Sequence, residues 1–144
     1  MSDSFAQAAA RHLQDAKSLL NHHRWDNAIY LAGYVVECSF KVLVGIYIDQ
    51  IDQKEVKKYG HDLTKLQGQA MDRLRLMYPV LDMQLPASQT TGTVLDQYHP
   101  ERRYFKSSYW SPSDTELAVE KAEQIYIEII SKLVLDGRIS SKDI

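Results

Sequence analysis

Residues 25–48 read WDNAIYLAGYVVECSFKVLVGIYI and decide the fold. Laid on a helical net they form three rows. Ala28, Ala32, Val35, Ser39, Val42 and Ile46 make one, and Ile29, Gly33, Val36, Phe40, Leu43 and Tyr47 make the second. The third, Tyr30, Tyr34, Glu37, Lys41, Val44 and Ile48, is mixed. A helix apolar on most sides belongs inside a layer of other helices, not on a surface. Glu37 and Lys41 interrupt it mid-span, four residues apart with the acid first, the order in which such a pair supports a helix. A charge in so apolar a setting is costly unless it is paired, so these two are the most informative polar residues in the chain.

Working outward, Ser4 and Gln7 form a capping box, and Phe5, Ala9, Leu13, Ala16 and Leu20 follow at helical spacing. A first helix over about 4–21 is therefore expected. The short polar link Asn21-His22-His23 turns the second helix, about 25–49, antiparallel beside it. Asp62 caps a third over about 62–78, with stripe Leu63, Leu66, Ala70, Leu74 and Met77, stopped by Pro79. Ser113 with Glu116 reads as a second capping box, opening a fourth helix over about 113–136 that Gly137 closes. Between them, residues 79–112 lose periodicity and carry Pro86, Pro100 and Pro112, a long connection of the kind that serves function. The expected fold is all-α: one domain over 1–144, an antiparallel up-and-down four-helix bundle with a long connection before the last helix.

Composition narrows the function classes. The chain has 144 residues, 44% apolar and 25% charged, with a formal net charge of −2, so nucleic acid would have to be met by a local patch. A single cysteine, Cys38, excludes an internal disulfide and, lying in the central helix, reads as a small buried residue. The N-terminus lacks the pattern of a secretory signal, and the central apolar helix carries two charges, so a cytoplasmic setting with no membrane contact is expected. No glycine-rich phosphate loop occurs, the five histidines lack metal-ligand spacing, and no cofactor or metal is implied.

The densest candidate site is Tyr98 to Trp110, YHPERRYFKSSYW. Arg102, Arg103 and Lys106 interleave with Tyr104 and other rings, and cations that hold phosphates beside rings that stack on bases suit a nucleotide or a single strand. Glu37 and Lys41 would orient that edge from the central helix. Equally, the rings can pin the connection to the bundle, with an arginine pairing Glu37. His99, beside the arginines, is the histidine placed for proton transfer, whereas His61, next to the cap Asp62, reads as structural. The aromatic third row of the central helix offers a surface for a homodimer.

These residues together resemble the HEPN domain family. Trp25, Ala28, Glu37, Cys38 and Lys41 match its aromatic-x-x-Ala and Glu-Cys-x-x-Lys pattern, His61-Asp62-Leu63 its His-Asp-Leu step, and RRYF at 102–105 a late basic-aromatic element. The resemblance implies a helical bundle that dimerises, often a ribonuclease of toxin-antitoxin, phage-defence or CRISPR systems working beside a small nucleotidyltransferase. Catalytic members carry an arginine followed four to six residues later by a histidine. Here no histidine follows Arg102 or Arg103, and His99 precedes them. The expectation is thus a non-catalytic HEPN-like dimer binding a nucleotide, RNA or a nucleotidyltransferase-type partner protein through Arg102, Arg103, Lys106 and Tyr104. The alternatives are a divergent metal-independent endoribonuclease using His99 with Arg102 and Arg103, and a purely structural scaffold.

Overall fold

A computed structural model describes residues 4–49, 54–77, 95, 99, 100, 105, 107 and 109–143, and every described element is helical. Helix α1 is Phe5–Asn21, opened by Ser4, whose Oγ accepts the Gln7 N–H at 3.3 Å. It buries Ala9, Leu13 and Ala16. It closes on His23, which adopts φ +60°, with the Arg24 N–H on the Leu19 carbonyl at 2.8 Å and the His23 N–H on that of Leu20 at 3.1 Å. This is the double-bonded stop that glycine usually makes. The His23 ring stacks on Trp25 at 5.1 Å, so the short link is braced by the residue that starts the next helix.

Helix α2 is Trp25–Val44, continued by a π-helical turn over Gly45–Asp49. Fourteen of its twenty α-helical residues are buried, which makes it the centre of the bundle. By length and hydropathy Trp25–Tyr47 would also cross a membrane, but 72% of that window is buried against the chain's own helices. Fully buried Ile29, Val35 and Val36 each contribute about 1.5–3 kcal/mol of transfer free energy. In the mixed third row, Glu37, Lys41 and Val44 are buried within the one chain, while Tyr30 and Tyr34 are half-buried.

A short helix α3, Lys54–Tyr59, ends at Gly60 with φ +53°, a conformation that favours glycine. Asp62 then caps α4, residues 63–77, its Oδ1 accepting the Lys65 N–H at 2.9 Å. Leu66–Ala70 is a π-helical turn within α4. The extra residue in that wider turn rotates everything after it. The inward stripe therefore continues through Met71 and Leu74, and Met77, expected on it, is 48% exposed.

Helix α5 covers residues 112–135, as Pro112–Tyr126, a π-helical turn Ile127–Ser131, and Lys132–Leu135. Its cap corrects the sequence reading. Ser111, not Ser113, accepts the Asp114 N–H at 3.0 Å. Pro112 is the reason: a fixed φ and a missing N–H suit the first helical position, so the cap falls one residue before it. Gly137, at φ +75°, stops the helix as expected.

Helix α2 packs against α1, α5 and the 66–70 turn of α4, and α1 also meets α5. A Lys17–Glu123 ion pair at 2.8 Å links α1 to α5. Both side chains are substantially exposed, and pairs of that kind contribute at most about 1 kcal/mol. Burial therefore holds the layers together. The connection before α5 is fastened by Leu95, fully buried, and Trp110, 5% exposed, both in the core with α2.

Ser111→Ala should lower the unfolding free energy in urea by about 1 kcal/mol, and Ser113→Ala should leave it within about 0.5 kcal/mol. The opposite order would return the cap to Ser113.

Candidate functional site

The Glu37 carboxylate is 3% exposed, and an ion pair buried to that degree stabilises nothing unless its remaining hydrogen-bonding capacity is met. Lys41 Nζ lies 3.2 Å from Oε2, one turn along α2, and also sits over the Phe5 ring at 5.3 Å. Two histidines from distant parts of the chain complete the set. His61 Nδ1 stands 2.9 Å from Oε1 and 3.1 Å from Oε2, and His99 Nε2 stands 3.0 Å from Oε1. An ionised carboxylate only accepts, so each imidazole donates through the nitrogen named. Glu37 thereby joins α2, the turn before α4 and the late connection.

Tyr34, one turn before Glu37, is the ring around which the site is arranged. His99 meets it edge-on at 4.8 Å, His61 at 5.6 Å and Tyr30 at 5.1 Å, and His12 from α1 is tilted against it at 5.8 Å. The three histidines differ in access. The His99 side chain is 1% exposed and that of His61 54%; His12 is half-buried.

The electrostatics follow from these partners. Burial works to raise the Glu37 pKa, but the hydrogen bond from His99, the charge of Lys41 and the hydrogen bond from His61 outweigh it, so the carboxyl is held below its ordinary range. Burial, and then Arg11, push His12 down, favouring its neutral form. Burial and the neighbouring Glu37 carboxylate push Cys38 up to about 12, which leaves a thiol with no thiolate character near neutrality.

Of the residues singled out from the sequence, Glu37, Lys41 and His99 come together here. Arg102, Arg103, Tyr104 and Lys106 lie outside the described residues. A side chain from the late connection does reach Glu37, and it is His99. With Nε2 committed to Glu37 and the ring enclosed, His99 is a poor proton-transfer group, and the exposed histidine of the three around Tyr34 is His61. Sequence reasoning sets His61 aside as structural and passes over His12. The signal for His61 is the step Gly60-His61-Asp62, in which a left-handed glycine and a cap hold the histidine between them. For His12 the signal is its place next to Leu13 on the inward side of α1.

Among the described residues no group of histidine, cysteine and carboxylate side chains could hold a metal ion. The aromatic part of the late connection is a second feature. Phe105 stacks on Trp110 at 6.4 Å and 16°, and Tyr109, 56% exposed, stands edge-on to both at 4.9 Å. A cavity of about 500 Å³ between α1 and α5 is lined by Leu20, Val119 and Ile127 with Glu120, Glu123, Glu128 and the Lys17 that pairs with Glu123.

A family model described as HEPN domain matches residues 2–133. No curated protein and no solved structure matches the chain.

Because the Glu37 pKa is lowered on folding, its contribution is complete above about pH 4.5 and is lost as pH falls through the folded value. That of His12, lowered from 6.5, is lost in the same direction but begins to fall near that pH. Glu37→Gln should cost about 3–5 kcal/mol at pH 7, as breaking a buried ion pair does. In urea titrations over a pH series the gap from wild type should narrow below pH 4.5. A gap constant down to pH 3 would contradict the buried, ionised assignment.

Proposed function

The chain belongs to the HEPN domain family, and on that premise we propose that it binds single-stranded RNA or a nucleotide through the late connection. Membership supports a nucleotide- or RNA-related function in general. What favours the single-strand reading is the anchoring of this connection. Leu95 and His99 are buried before the run Arg102, Arg103, Tyr104 and Lys106, Trp110 is buried after it, and Tyr109 keeps an exposed ring. A cationic tract held at both ends needs less ordering on binding than a free one, and an exposed ring beside it can stack on a base.

In this proposal Arg102, Arg103 and Lys106 contact phosphates, Tyr104 and Tyr109 stack, and Glu37 with Lys41 fixes the position of the connection through His99. The protein acts as a homodimer in the cytoplasm, in a toxin-antitoxin or phage-defence pair with a nucleotidyltransferase-type partner. No arginine followed by a histidine at nuclease spacing is present, so binding is the primary activity.

Anisotropy of a labelled single-stranded RNA tests this. Arg102→Ala with Arg103→Ala should weaken binding at least about tenfold and flatten the dependence of log K on log salt by roughly 0.7 for each phosphate no longer neutralised. Tyr109→Ala should weaken it by about 1–3 kcal/mol with little change in that slope. Unchanged affinity in the double variant, with helicity intact, would refute the binding edge.

A further inference from the structure

We infer that the groove between α1 and α5 is a docking site for a cationic amphipathic helix of a partner protein. The groove shares no residue with the Glu37 cluster or the late connection, so the inference stands apart from the RNA reading. Its apolar lining is Leu20, Val119 and Ile127, and its volume is about 500 Å³. Val119 is buried, whereas Ile127 keeps 52% of its surface exposed. An apolar side chain already walled on one side by others is the kind of surface a partner removes from water with most gain.

The polar lining says which partner chemistry fits. Glu120, Glu123 and Glu128 stand against a single lining cation, Lys17, whose Nζ lies 2.8 Å from Glu123. Glu128 is the more telling of the two carboxylates left over. Its Oε1 accepts the Gln124 Nε2–H at 3.3 Å, while its Oε2 is shut off from solvent and has no hydrogen-bond partner. A carboxylate oxygen held that way is costly until a donor reaches it. A lysine or arginine laid in the groove supplies the donor and the opposite charge. A neutral segment would leave the oxygen unmet, and an acidic one would add like charges.

The shape selects a helix. From residue 120 to residue 128 the groove follows α5 for about 12 Å, a little over two turns. Two helices packed side by side present such a trough to a third, which lays its apolar side into it. Leu117, 58% exposed and one turn before Glu120, extends the apolar surface beyond the groove for a longer helix.

The probe is a fluorescein-labelled peptide of leucine and lysine, about 14 residues long with its leucines at helical spacing, added to the full chain. Anisotropy should show saturable binding that weakens as salt rises. A peptide of the same composition with that spacing scrambled should bind at least about tenfold more weakly. Glu120→Lys with Glu128→Gln should weaken binding about tenfold and flatten its salt dependence. Ile127→Ser should weaken it by a similar factor, about tenfold, with the salt dependence kept. Glu120 and Ile127 are exposed, so Glu120→Lys and Ile127→Ser should each fold, as circular dichroism would confirm. No binding of the amphipathic peptide, equal binding of the scrambled one, or wild-type affinity in the folded variants would overturn the inference. A wild-type dimer in sedimentation that Ile127→Ser dissociates would give the groove to a second copy of the chain and overturn it as well.

Discussion

A single carboxylate sunk in the most apolar helix sets the terms for the rest of the molecule. Left unpaired, Glu37 would destabilise the bundle by several kcal/mol, a large part of the stability a domain of this size has. Lys41 answers the charge within the helix. It cannot meet all the lone pairs of the carboxylate, and the remaining donors come from His61 and His99, 24 and 62 residues further along the chain. The same interaction therefore adds a directional link between a turn and a connection whose apolar neighbours, Tyr59 and Leu63 on one side and Leu95 and Trp110 on the other, share the core. Apolar burial alone would hold α1, α2 and α5 in contact, but being nondirectional it would not set where those two segments sit.

Local chemistry places these donors. Gly60 and Asp62 lock the turn that carries His61, and Leu95 and Trp110 anchor the connection that carries His99. The site is thus made by elements whose own geometry is settled within a few residues. Tyr34 stands between the rings of His12, Tyr30, His61 and His99, a polar-aromatic cluster around the buried carboxylate. The groove between α1 and α5 is lined by different residues altogether, Lys17 with Glu120, Glu123 and Glu128 among them.

Much of this is readable in the sequence. The apolar net around Glu37 and Lys41 announces a central helix with a buried ion pair, and periodicity with capping residues locates the four long helices to within a residue or two at their ends. The arginines expected to meet Glu37 lie outside the described residues, and the late connection reaches it through His99 instead. Other features are hidden for physical reasons. A π-helical turn leaves no mark in the residue pattern, so Met71 replaces Met77 on the inward face. The proline at 112 moves a cap by two residues, from Ser113 to Ser111. Above all, the access of a histidine is a tertiary property. Their sequence neighbours separate His61 and His99 but say nothing of burial, and only the fold makes the first exposed and the second enclosed.

The central claim is that Glu37 and His99 are coupled across the fold. A double-mutant cycle with Glu37→Gln, His99→Gln and both together, read by urea unfolding at pH 7, tests it most directly. A charge-assisted hydrogen bond between buried partners should give a coupling of about 1.5–3 kcal/mol. Additive effects, agreeing within about 0.3–0.5 kcal/mol as for independent sites, would mean that the carboxylate does not hold the connection.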